Sequence, residues 1–267
     1  MSSLASRILV AAVLLPLVIA LVYLGDWWLF GLALIGGLIA LHELYTLARE
    51  LRPLVLAGYI GFVLALLGLE LGGLPWMLGG IVATLVFSFL FFGLSDVRPS
   101  ATASFGATLL GVVWVGAGLG FLLLVRDIPE FGFWAVTAVM FTVFAADTAA
   151  FFVGRAIGRH KMAPAISPGK SWEGFVAGLL AAMGASFLIL YKDRDEFLTI
   201  PETLALGAAV ALASVLGDLF ESAVKRDLGV KDSGRLLGGH GGMLDRLDSL
   251  LWAGPAAYYA ILAFGQA

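Results

Sequence analysis

The chain of 267 residues is 61% hydrophobic and 13% charged, with a mean hydropathy of +1.00, a composition that excludes an ordinary water-soluble domain. The absence of cysteine removes disulfide frameworks and thiolate metal sites. A net charge of −3 is too small to imply nucleic-acid binding, so the placement of charge matters more than its sum.

At about 20 apolar residues per crossing, the sequence predicts an all-α polytopic integral membrane protein of about nine transmembrane helices. Their expected limits lie near 8–24, 27–48, 54–71, 74–94, 104–125, 131–153, 173–191, 202–222 and 249–265. The first run follows Arg7, exceeds a signal-peptide core in length and lacks a clean small-x-small cleavage site, so it reads as a retained anchor. Only the short break Gly72-Gly73-Leu74-Pro75 separates the third and fourth spans. With a cytoplasmic N-terminus, every Lys and Arg except Arg126, Lys192 and Arg194 falls on the cytoplasmic side. The positive-inside rule therefore predicts that orientation, with the C-terminus on the outer side.

Polarity divides the chain into an N-terminal transmembrane scaffold (1–140) and a C-terminal transmembrane region (141–267) with two charged cytoplasmic loops. Glycine pairs four residues apart, Gly116 with Gly120, Gly154 with Gly158 and Gly174 with Gly178, predict helices in close contact.

Carboxylates inside the spans need an explanation, because each costs about 2.5–3.5 kcal/mol at mid-membrane even on the lenient insertion scale. On the second span Glu43 stands beside His42, where a structural and a functional role remain equally open. Asp147 lies within the sixth span, and Asp218, Glu221 and Ser222 share one face of the eighth by their three- and four-residue spacing. The plain alternative for Asp218 is an ion pair with an arginine of a neighbouring helix.

Asp245 and Asp248 repeat the i, i+3 spacing at the start of the last span. With Asp218 they predict a carboxylate group at the membrane boundary, suited to Mg²⁺, which prefers a few carboxylates plus waters and substrate phosphates. A helix N-terminal charge is the simpler alternative for Asp245. His240-Gly241-Gly242 directly precedes it, and adjacent glycines let backbone N–H groups approach phosphate. In the earlier charged loop, Gly169-Lys170-Ser171 resembles the end of a P-loop. Pro164 stands where that motif requires glycine, and no strand is expected before it. The alternatives are a positive-inside anchor loop or a phosphate-binding turn entering a helix at about Ser171.

The segment 222–248 fits Ser-x-x-Lys-Arg, then Lys-Asp, His-Gly-Gly and Asp-Arg-x-Asp, through Ser222, Lys225, Arg226, Lys231, Asp232, His240, Gly241, Gly242, Asp245, Arg246 and Asp248. It resembles closely the signature of the phosphatidate cytidylyltransferases (CDP-diacylglycerol synthases). The family's Ser-Pro-x-Lys-[Thr/Ser]-x-Glu-Gly turn is matched by Ser167, Pro168, Lys170, Ser171, Glu173 and Gly174. Its Asp-x-x-Ala-[Phe/Tyr]-x-x-Gly is matched by Asp147, Ala150, Phe151 and Gly154. At motif level the resemblance runs from about residue 145 to the end. Gly238 departs from it, standing where many relatives have proline, which touches only the rigidity of that turn. Arg235 occupies an unconstrained position.

The resemblance implies transfer of the cytidylyl group of CTP to phosphatidate, giving CDP-diacylglycerol and pyrophosphate at the cytoplasmic interface of a bacterial inner membrane. It implies Mg²⁺, with room for a second monovalent or divalent cation, on Asp218, Asp245 and Asp248. Lys225, Arg226, Lys231 and Arg246 would hold the lipid phosphate or the pyrophosphate charge, with Asp232 among the catalytic set and His240 shaping the site. Asp147, Ser167, Lys170, Ser171, Glu173, Ser222, Gly241 and Gly242 would bind substrate, and the enzyme would be a homodimer in the lipid bilayer. Taken singly, each basic residue is also explained by attraction to anionic headgroups. The rival reactions are a CTP-dependent lipid or polyprenol kinase and, from the intramembrane carboxylates alone, a transporter or channel. Transporters usually carry paired inverted repeats, whereas here the charges gather in one half of the chain.

Overall fold

The computed structural model of the chain describes residues 15–94, 100–193, 196–234 and 241–266. Helix α1 is described over Leu15–Leu24. It is followed by α2 (Asp26–Leu47), α3 (Val55–Gly72), α4 (Leu74–Gly93), α5 (Ala101–Gly111), α6 (Gly118–Arg126) and α7 (Gly132–Ile157). Then come β1 (Lys161–Ala163), β2 (Ser167–Ser171), α8 (Trp172–Leu190), α9 (Ile200–Asp227) and α10 (Leu244–Ala263). A 3₁₀ turn, Ala48–Leu51, extends α2, and a π-helical turn, Val112–Ala117, joins α5 to α6.

Among the described residues, seven stretches are long and apolar enough to cross a membrane: Asp26–Leu51, Val55–Gly72, Leu74–Gly93, Ala101–Arg126, Gly132–Ile157, Trp172–Leu190 and Ile200–Asp227. The molecule is an all-α polytopic integral membrane protein. Two of the nine expected spans are not among the seven. The first is described only over Leu15–Leu24, and the last, α10, opens on Asp245, Arg246 and Asp248.

The hairpin departs from the sequence expectation. Lys161 pairs with Ser171 and Ala163 with Ser167, antiparallel, where a strandless turn was expected. Outside the apolar spans this segment satisfies its backbone groups by pairing. The hairpin is antiparallel and its β1 follows a helix, so it does not restore a P-loop context.

By contacts the chain forms two compact units, Met1–Gly120 with Leu228–Leu247, and Phe121–Asp227 with Asp248–Ala267. In the first, α3 and α4 meet along glycines. A Cβ on Gly68 would lie 2.6 Å from the Trp76 carbonyl oxygen, and Gly61 faces the Thr84 side chain with no space for one of its own. Helix α4 buries Met77, Gly80, Thr84 and Ser88 while exposing Val82, Val86 and Phe89. Small residues inside and large apolar ones outside are what a lipid-facing helix requires. Where α2 gives way to α3, the Thr108 hydroxyl accepts the Leu54 N–H at 2.8 Å and the Ser104 hydroxyl donates to the Leu51 carbonyl at 3.3 Å. These bonds supply the backbone partners that lipid cannot.

In the second unit α7, α8 and α9 pack on small residues, with Ala146, Ala182 and Ala211 forming the shared core beside Leu179. A Cβ on Gly174 would lie 2.7 Å from the Ala150 carbonyl oxygen, and one on Gly178 2.8 Å from that of Ala146. The close approach expected of these glycines is therefore present between α7 and α8. Gly217 does the same for α9 against α10, where a Cβ would lie 2.6 Å from the Asp248 carbonyl oxygen.

Candidate active site

The close α7–α8 crossing brings Asp147 of α7 beside β2 and α9, and together they line a cavity of about 720 Å³. Its lining combines charged and polar residues (Asp147, Arg155, Lys161, Lys170, Ser171, Asp218) with apolar ones, among them Phe151, Phe175, Leu179 and Val215. The Lys170 ammonium lies 2.8 Å from Asp218 Oδ2, and the Ser222 hydroxyl donates to Asp218 Oδ1 at 3.3 Å. The partner of Asp218 is thus the hairpin lysine, not an arginine of a neighbouring helix. Asp147 experiences the charges of Asp218 and Lys170. Asp248, only 9% exposed, experiences those of Asp218, Asp147 and Lys225. Three carboxylates and two lysines therefore share one electrostatic neighbourhood inside a largely apolar protein. For Asp147, Asp218 and Lys170, opening into a cavity with other charged residues is the setting that makes such groups tolerable at membrane depth.

Helix α8 begins where the sequence placed it. Ser171 is its N-cap, its hydroxyl accepting the Gly174 N–H at 3.2 Å. Glu173 clasps the base of the hairpin, accepting the His160 backbone N–H at 3.2 Å with the His160 Nδ1 at 2.6 Å. Ser167 lines the cavity, and Arg226 Nε donates to the Ile166 carbonyl at 3.4 Å, tying the end of α9 to the hairpin turn. Lys225 is paired at 2.6 Å with Glu221, a carboxylate only 2% exposed.

In the first unit the Asp245 carboxylate accepts the Ser233 N–H at 3.0 Å and the Gly242 N–H at 2.8 Å. Gly241 has φ +80, and a Cβ there would lie 2.5 Å from Asp245 Oδ2, so glycine is required at this turn. Lys231, Asp232 and Arg246 are exposed. His240, with Arg235 and Gly238, lies outside the described residues.

Sequence reasoning missed several of these residues. Arg155 and Lys161 were counted only as positive-inside charges, yet both line the cavity. Glu221 was placed on the Asp218 face, and its i, i+4 spacing to Lys225 was the available signal. Ser233 gave no signal at all.

Among the described residues, no group of three His, Asp or Glu side chains converges closely enough to enclose a metal ion. The donor set nevertheless suits Mg²⁺, a hard cation usually held by one or two carboxylates with waters and substrate phosphates completing its shell.

The model of the cytidylyltransferase family matches residues 5–264, so the similarity extends well beyond the motifs into the N-terminal spans. A phosphatidate cytidylyltransferase of Pseudomonas aeruginosa is 36% identical over 273 residues, covering 97% of each chain. One from Thermotoga maritima is 33% identical over 266 residues, covering 97% of this chain and 96% of its own. One from Haemophilus influenzae is 45% identical over 134 residues, which is 49% of this chain and 46% of that protein.

Proposed function

Because this chain belongs to the cytidylyltransferase family, we propose that it converts CTP and phosphatidate to CDP-diacylglycerol and pyrophosphate. The observation that carries this reading is a cavity whose lining combines the Lys170–Asp218 pair and Asp147 with several apolar side chains. A nucleotide needs the charged part of that cavity, and a lipid needs the rest.

The phosphate oxygen of phosphatidate attacks the α-phosphorus of CTP, and the bond from that phosphorus to the bridging oxygen of pyrophosphate breaks in line. The nucleophile is already anionic at neutral pH, so no side chain must remove a proton. Two anions must meet, and positioning with charge neutralisation supplies the rate. Lys170, with Arg155 and Lys161 beside it, binds nucleotide phosphates together with Ser167 and the N-terminus of α8 at Ser171. Lys225, Arg226, Lys231 and Arg246 balance the lipid phosphate and departing pyrophosphate, with Glu221 holding Lys225 in place. Mg²⁺, held by Asp218 and Asp248 with Asp245 as the third expected carboxylate, would neutralise charge on the phosphates. A second cation, a homodimer and a location in the bacterial inner membrane belong to the same reading. Their support is the family resemblance and the bacterial relatives.

The test is purified protein in micelles with Mg²⁺, phosphatidate and CTP labelled at either the α- or the γ-phosphate. The expected result is α-label in the lipid and γ-label in pyrophosphate. Appearance of γ-label in the lipid would instead make the protein a CTP-dependent kinase. No labelled lipid from folded protein would overturn both readings.

A further inference from the structure

The reaction assigned above uses no residue of α2, yet a buried, hydrogen-bonded carboxylate lies there. Glu43 is 8% exposed. Its Oε2 accepts the Leu244 N–H at 2.9 Å and the Ser233 hydroxyl at 3.1 Å. Leu244 is the first residue of α10, so Glu43 supplies, from a distant helix, the acceptor and negative charge that a helix N-terminus needs. Ser233 continues the chain of bonds. Its hydroxyl accepts the Asp245 N–H at 3.3 Å, and its own N–H donates to the Asp245 carboxylate.

The backbone is shaped to the same carboxylate. A Cβ on Gly234 would lie 2.5 Å from Glu43 Oε1, and Gly242 is pressed against Oε2 with no space for a side chain. Glu43 Oε1 has no hydrogen-bond partner among the described residues. A buried carboxylate is a costly way to fill space. An apolar side chain would pack there but could not accept the Leu244 N–H and the Ser233 hydroxyl. What the carboxylate adds is a fixed position for the two segments that flank Asp245.

We propose that Glu43 is a positioning residue for cytidylyl transfer, holding Ser233 and the start of α10 so that Asp245 is set for the reaction. This rests on the reading of Asp245 as a carboxylate of the reacting site. Glu43 itself touches no substrate.

The test compares Glu43→Ala, Glu43→Gln and Asp245→Asn, singly and with Glu43→Ala combined with Asp245→Asn. Each is assayed for kcat, for KM toward CTP, and for hydrogen exchange at the amides of 228–234 and 241–247. Displacing a reacting group by about 1 Å costs on the order of 10²-fold, so Glu43→Ala is expected to lose about that much in kcat with KM little changed. Glu43→Gln, which keeps an acceptor, should recover much of the loss. Both segments should exchange faster in Glu43→Ala, and the double variant should be no slower than Asp245→Asn. Wild-type kcat in folded Glu43→Ala, or lost kcat with unchanged exchange, would overturn the proposal. If Glu43→Ala does not fold, the proposal requires Glu43→Gln to show raised exchange with at least a few-fold loss of kcat, and wild-type values in that variant overturn it. Wild-type activity in Asp245→Asn would instead remove the site reading on which the proposal depends. Faster exchange in Glu43→Ala would then show that Glu43 still holds the loop.

Discussion

Lys170 shows how a residue's role follows from its partner. In isolation it is one more positive charge at a membrane surface, but in the structure its ammonium lies 2.8 Å from Asp218 inside the cavity. Replacing it with methionine keeps the length and apolar stem but removes the charge. Removing one preorganised charge contact costs about 10²–10³-fold in rate, so Lys170→Met should lose about that much in kcat/KM for CTP. Steady-state kinetics against CTP concentration checks this, and a loss under threefold would exclude Lys170 from phosphate binding. Asp147, Asp218 and Lys170 were legible in the sequence because each is an ionisable residue at or near an apolar span. Their meeting was not, since α9 is separated from α7 and the hairpin by the whole of α8.

At the scale of elements, apolar runs of about 20 residues made the spans from α2 to α9 readable to within a few residues. Even the short break after α3 was visible, and Gly73 at φ +74 is the residue that makes it. The hairpin was not readable, because strands of 3 and 5 residues are too short to show alternation. The glycine pairs were informative because lipid-embedded helices meet through small residues. Gly178→Leu should force α7 from α8, since a Cβ alone would lie 2.8 Å from the Ala146 carbonyl oxygen. Overpacking of this kind costs about 1–3 kcal/mol and would also shift Asp147, one residue further along α7. The expected outcome is a lowered unfolding midpoint in micelles together with reduced activity, while Gly184→Leu, where nothing lies within 4 Å, leaves both unchanged. Equal behaviour of the two variants would contradict the close crossing.

For the whole molecule, composition was enough to read an integral membrane protein, and charge placement predicts that its charged loops lie on the cytoplasmic side. No reading of contiguous stretches could show that Glu43 meets Ser233 and Leu244, because that contact depends on which distant segments the fold returns to each other. The absence of cysteine makes the predicted orientation directly measurable. In oriented vesicles, Arg159→Cys should react with an impermeant maleimide only from the cytoplasmic side, and Lys192→Cys only from the outer side. Labelling of both from one side would overturn the expected topology.

The account stands most directly on Asp218, which joins α9 to the hairpin and is assigned both the lysine contact and the cation. Wild-type protein and Asp218→Asn should be compared in micelles with Mg²⁺, phosphatidate and α-labelled CTP. The account predicts labelled lipid from the wild type and at least about a 10²-fold loss in a variant that remains folded. Labelled lipid at comparable rates from both would contradict it.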